Sequence, residues 1–221
     1  MKNFIKFQIV VLATLISVSY AYAQKSLTKD ININGCIQIG SNYAELLGIK
    51  NSENFAIYTE FSVFHKTGVG VAYYAYDDFS EEETGRVRFI DLAYANQWGD
   101  FSMYAATEYG WYDNWAEGKW LMEYAICGYS LGTWALEVTP MLTYFPNLSE
   151  DQYEIMIYGK VTKTFLNDWD VYGTVWYDNV YQGFYGAVGT KFHFPNKFYL
   201  GGILLYKDDN IGPMASFGWR F

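Results

Sequence analysis

The sequence predicts an all-β fold, an antiparallel up-and-down transmembrane β-barrel of about 12 strands. Three observations predict it. Apolar and polar residues alternate with period two along most of the chain. Trp, Tyr and Phe make up 21% of the 221 residues, while Pro occurs only 4 times. Finally, the connections between alternating runs are by turns tight and long, which is the plan of an outer-membrane barrel with short inner turns and longer outer loops.

The chain opens with an export signal. Lys2 and Lys6 give a positive start, residues 7–18 a short apolar stretch, and Ala21-Tyr22-Ala23 a small-residue cleavage site, the pattern of a secretory signal peptide. Residues 1–23 are expected to be removed and residues 24–221 to form the barrel, leaving 198 residues. Losing Lys2 and Lys6 takes the net charge from −9 to −11.

Strict alternation sends successive side chains to opposite faces of a strand. Ile31, Ile33, Ile37 and Ile39 alternate with Asn32, Asn34, Cys36 and Gln38; Phe101, Met103, Ala105, Thr107, Tyr109 and Trp111 alternate with Ser102, Tyr104, Ala106, Glu108 and Gly110. The same reading gives strands at 31–40, 54–65, 68–78, 86–97, 100–112, 119–129, 132–145, 152–165, 168–178, 182–194, 197–206 and 211–221. A spanning strand needs about 9–11 residues, so these runs suffice. Ten strands is the competing count.

The tight connections are expected at Lys66-Thr67, Gly99, Ser130-Leu131, Asn167 and Pro195-Asn196. The long ones are acidic, as at Glu81, Glu82 and Glu83. An even strand number puts both ends of the processed chain on the inner side. Trp98, Trp134, Trp169 and Trp219 fall near the inner rim, and Trp111, Trp115 and Trp120 near the outer rim. Rings with an apolar body and a polar edge belong at membrane interfaces. The last strand alternates Phe217, Trp219 and Phe221 with Ser216, Gly218 and Arg220. A final Phe221 is expected to address the chain to the barrel assembly machinery.

Composition excludes several classes. Each span of a helical membrane protein needs about 20 consecutive apolar residues, and only the signal segment approaches that. The 24 acidic residues outnumber the 15 basic ones, against a nucleic-acid partner bound through phosphates. Two His and two Cys leave little for a metal site, and no cofactor is expected. Cys36 and Cys127 fall on the first and sixth runs, which are not neighbours in such a barrel, so both thiols are expected to be free. The protein is not expected to be an enzyme. A lipid-modifying enzyme would need a Ser beside His65 or His193, and no G-x-S-x-G turn occurs.

Burying a charge against lipid at mid-membrane costs about 2–4 kcal/mol for Arg or Lys and less for Asp or Glu. The mid-strand charges are therefore expected in the lumen: Glu60, Arg88, Asp91, Glu108, Glu123, Glu137, Glu154, Lys160, Asp170, Lys191 and Arg220. Glu60, Asp91, Glu137 and Lys160 are the expected polar ring of a substrate-binding lumen. Tyr58, Tyr74, Tyr104, Tyr158, Tyr172 and Trp176 are its expected stacking wall. Net acidity predicts preference for neutral or cationic solutes over anions.

The stretch YTEFSVFHKTGVGVAYYAYDD, Tyr58 to Asp78, joins an acidic-aromatic strand, a tight turn, a Gly/aromatic strand and an acidic loop. With DVYGTVWYDN (170–179) and the ending GPMASFGWRF (212–221), it resembles the Tsx-like nucleoside-specific outer-membrane channel superfamily, including its small Bacteroidetes-type members. The resemblance implies a twelve-stranded barrel passing nucleosides through a narrow aromatic lumen, in the outer membrane of a Gram-negative bacterium. The expected partners are outer-membrane lipid, the assembly machinery and a small-molecule solute. A non-conducting structural or adhesive barrel is the alternative, and a lipid-modifying enzyme a more remote one.

Overall fold

In the computed structural model, residues 30–41, 55–79, 85–114, 118–148, 153–166, 168–180, 183–207 and 210–221 are described. The expected signal segment, Trp115, Asn167 and the tips of the acidic loops, Glu81 to Glu83 included, lie outside them.

The alternating runs form twelve strands: β1 (Ile31–Ser41), β2 (Phe55–His65), β3 (Val69–Asp77), β4 (Arg86–Trp98), β5 (Phe101–Tyr112), β6 (Lys119–Leu131), β7 (Trp134–Tyr144), β8 (Tyr153–Phe165), β9 (Trp169–Asp178), β10 (Gly183–His193), β11 (Phe198–Lys207) and β12 (Asn210–Arg220). Every strand pairs antiparallel with its sequence neighbours, and β1 pairs with β12, so the sheet closes. Closure removes the edges that an open sheet would expose to lipid, where an unpaired backbone group has no water to bond. The seam is finished by Phe221, whose backbone N–H donates to the Gly35 carbonyl at 2.9 Å and whose carbonyl accepts from Gly35 at 3.1 Å. Twelve strands, rather than ten, follow from this pairing.

Each boundary lies within two residues of the sequence reading. The largest departure is the third tight turn. β6 continues through Ser130 to Leu131, which pairs with Trp134, and the reversal falls on Gly132-Thr133. Gly132 takes a φ of +61°, a left-handed conformation that costs glycine nothing sterically.

The two faces separate as alternation requires. Ile31, Val71, Ile90, Leu92, Leu136, Val138, Ile155, Val188 and Leu204 are all exposed, and all lie on the outward face of their strands. Such an apolar exterior matches a hydrocarbon surround rather than water. Aromatic pairs mark its two borders. Trp98–Phe101 and Phe198–Trp219 stack, and Phe165–Trp169 meet tilted, at the tight-turn rim. Tyr109–Trp111 and Tyr144–Tyr153 lie at the long-loop rim.

Register corrects three sequence expectations. Arg88 lies three residues from the inward Asp91, and an odd spacing on a strand means opposite faces. Arg88 is therefore outward, at the long-loop rim, 3.1 Å from Asp113 and 3.8 Å from Asp77, with Nη1 donating to the Tyr76 and Val87 carbonyls. Near the interface an outward charge is cheap. Glu123 pairs with the outward Thr107; its carboxylate is exposed among apolar side chains and accepts from the Thr107 hydroxyl at 2.9 Å. Trp120 belongs to the inward set and is buried, so it is no rim residue. Cys36 faces inward and Cys127 outward, and both thiols are free.

Candidate functional site: a charged, ring-lined lumen

Inward side chains fill the long-loop half of the barrel with two aromatic clusters. Ala56, Tyr58, Ala72, Tyr74, Tyr76, Val87, Phe89, Trp120 and Met122 form one. Trp176, Tyr185, Ala187 and Leu205 form the other. Rings lie flat over glycines of neighbouring strands where no other residue leaves room. A Cβ on Gly110 would meet the Trp120 ring at 2.0 Å, one on Gly189 the Tyr172 ring at 2.3 Å, and one on Gly218 the Tyr199 ring at 2.2 Å.

One cluster is organised by a buried carboxylate. Asp91 has no exposed surface. Its Oδ2 accepts from the Tyr124 hydroxyl at 2.5 Å and from the Tyr104 hydroxyl at 2.7 Å, and Tyr74 and Tyr104 hydroxyls lie 3.3 Å apart. Its neighbour across β4 and β5 is Glu108, which accepts from the Trp120 indole at 2.6 Å. Hydrogen bonds of this kind contribute about 0.5–1.5 kcal/mol each between neutral groups and about 1.5–3 kcal/mol to a charged one. They hold the tyrosines as a wall.

Below the clusters, toward the tight-turn side, lies a cavity of about 240 Å³. Tyr58, Tyr124, Tyr158 and Tyr199 supply rings to its wall, Glu60, Glu108 and Glu137 carboxylates, and Lys160, Lys191 and Arg220 cations. The cations lie over rings. Lys160 Nζ is 5.2 Å from the Tyr172 centroid, and Lys191 Nζ and the Arg220 guanidinium are 4.8 and 5.4 Å from that of Tyr199. Tyr199 is fixed in turn by its hydroxyl, which donates to Gln38 at 2.6 Å and lies 3.6 Å from the Cys36 sulfur.

The expected polar ring divides. Glu60, Glu137 and Lys160 reach the cavity, whereas Asp91 is sealed behind Tyr104 and Tyr124. All six residues of the expected stacking wall point inward. Tyr58 and Tyr158 line the cavity. Tyr74 and Tyr104 belong to the Asp91 network, Tyr172 lies beneath Lys160, and Trp176 stacks on Tyr185 at 5.6 Å. Sequence reading missed Gln38, Tyr124 and Trp120. Their parity alone places them inside, but alternation gives no reason to separate them from other inward residues.

His193 also points inward, near the tight turns, with Nε2 2.8 Å from Asp170. Thr164 donates to the other Asp170 oxygen at 2.7 Å. His193 and Asp170 have the geometry of the base and its orienting carboxylate; among the described residues, no serine hydroxyl is hydrogen-bonded to the His193 ring.

No family model matches this chain, and no curated protein does. Solved structures do. The KdgM porin in complex with disordered oligogalacturonate matches with a TM-score of 0.60 at 9% identity, over 86% of this chain and 97% of that one. The KdgM porin itself gives 0.59 at 9% identity, over 86% and 97%. The NanC porin gives 0.52 at 10% identity, over 86% and 98%. The fold is that of porin-type barrels.

Proposed function

We propose that the protein is an outer-membrane channel for passive diffusion of small polar solutes. The cavity carries this reading. It lies inside a closed barrel with an apolar exterior, and charged groups and phenols line it beside Met122, Ile126 and Met141. Such groups are costly inside a protein unless water or a solute meets them. Porin-type neighbours support the same reading through their shared fold.

Nucleosides, the solutes of the Tsx-like superfamily that the strand motifs resemble, are the first class to test. Their flat bases suit the rings of Tyr58 and Tyr158, and their hydroxyls suit Glu60, Glu137 and Lys160. Base–aromatic stacking contributes about 1–3 kcal/mol per base.

Planar-bilayer recording tests the proposal. Stepwise single-channel conductance is the expected result, with concentration-dependent block by nucleosides if these are the solute. A purified, folded barrel that never conducts overturns the channel in favour of a structural or adhesive barrel. Release of fatty acid from phospholipid by that preparation would instead support the enzymatic alternative.

A further inference from the structure

The charges around the cavity are sorted by side. Glu108 on β5 and Glu137 on β7 share the β2–β7 arc with Glu60 on β2. Lys160 on β8, Lys191 on β10 and Arg220 on β12 occupy the complementary arc. Among the described residues, no Lys, Arg or His points inward from β2–β7. The arcs meet at two seams. Glu137 is the register partner of Lys160, and Glu60, Cys36 and Arg220 form one row across β2, β1 and β12.

Sorting has not led to neutralisation. Among the described residues, Glu60, Glu137, Lys160 and Arg220 take part in no ion pair. Lys160 and Arg220 are held over Tyr172 and Tyr199 instead, and Lys191 also lies over the Tyr199 ring. Opposite charges thus line the two arcs of the bore and meet at its seams. Three acids and three bases make the cavity itself balanced, although the whole chain is acidic.

We propose that this cavity selects small zwitterions, with a solute carboxylate toward the Lys160–Lys191–Arg220 side and a solute ammonium toward the Glu60–Glu108–Glu137 side. The inference rests on the channel reading and names its preferred solute class. A lone anion or cation gains from one arc and is repelled by the other; a neutral solute gains hydrogen bonds but no charge attraction; a zwitterion turned correctly gains from both. The volume, about 240 Å³, is that of about eight waters at roughly 30 Å³ each, enough for a small amino acid with water beside it.

The test uses the full-length processed protein in liposomes and four probes of matched size, γ-aminobutyrate, butyrate, butylammonium and butyramide. Uptake of γ-aminobutyrate is expected to exceed that of the other three several-fold and to saturate. The K160E/R220E variant, with folding checked by heat-modifiable gel mobility, is expected to move the preference to butylammonium. Saturable reduction of ion current by γ-aminobutyrate in the unaltered protein gives a second readout that needs no variant. Uptake of butyramide equal to or above that of γ-aminobutyrate overturns the zwitterion inference while leaving the channel standing. Failure of all four probes and of potassium chloride to pass overturns the channel and this inference together.

Discussion

Tyr124 on β6 reaches past β5 to donate its hydroxyl to Asp91 on β4 at 2.5 Å. Tyr104 on the intervening strand donates to the same oxygen at 2.7 Å. One carboxylate therefore ties three adjacent strands from inside, and the tyrosines it holds form one wall of the bore. Asp91→Ala is expected to leave both phenols without their acceptor. The cost should be about 1–3 kcal/mol, read as a lower temperature for the shift between folded and unfolded gel mobility. Looser tyrosines should also raise open-channel current noise.

Tyr199 depends on a glycine. With 2.2 Å between a Cβ on Gly218 and the Tyr199 ring, Gly218→Val should push that ring off its place and break its bond to Gln38. Overpacking of this kind costs about 1–3 kcal/mol. A lower folded fraction after detergent refolding is the expected outcome, whereas an unchanged fraction and unchanged conductance would show that the ring is free to move.

Glu123 is the outward carboxylate on β6. Only the Thr107 hydroxyl is seen to meet it among the described residues, and Leu121 and Leu142 beside it are exposed. Replacing it should favour the membrane-inserted barrel. Glu123→Leu is expected to stabilise by about 1 kcal/mol, within the range for acidic side chains on the lipid face, measured by urea-driven unfolding from vesicles. Destabilisation instead would mean that Glu123 meets something other than acyl chains.

The two thiols report the two faces. Cys36 lines the cavity and Cys127 points outward. In a Cys127→Ser protein, a small cationic methanethiosulfonate reagent should modify Cys36 and lower single-channel conductance. In the Cys36→Ser protein the same reagent should leave conductance unchanged. The reverse pattern would shift the register of β1 against β12.

Phe221 closes the seam on Gly35, with the ring where a Gly35 Cβ would be, 2.1 Å away. Its address role for the assembly machinery is a separate proposal. Deleting Phe221 is expected to lower the amount of barrel inserted in cells several-fold, while refolding of the same variant into detergent suffers less. Equal losses in both would assign Phe221 to the seam alone.

The strands were legible in the sequence because alternation is a local property. A side chain's face depends only on its parity, so β5 could be read from Phe101 to Tyr112 without knowing any partner. The rim tryptophans Trp98, Trp134 and Trp169 were legible for the same reason. What misled the reading was the rule that every mid-strand charge seeks the lumen. Applied one residue at a time, it placed Arg88 and Asp91 on one face, although an odd spacing forbids that. It also puts Glu123 inside, although its cross-strand partner Thr107 alternates with the inward Glu108 and so faces outward.

Sequence alone determined that this chain makes a barrel, its strand boundaries to within two residues, and which ring or charge belongs to which parity. Only closure decided the count of twelve, the seam between Gly35 and Phe221, the burial of Asp91 behind two phenols, and the sorting of the cavity's own acids and bases onto opposite arcs. The physical reason is range. Parity is set by neighbours along the chain, whereas these features join residues up to 186 positions apart, as Gly35 and Phe221 are, and exist only once the sheet has curled back on itself.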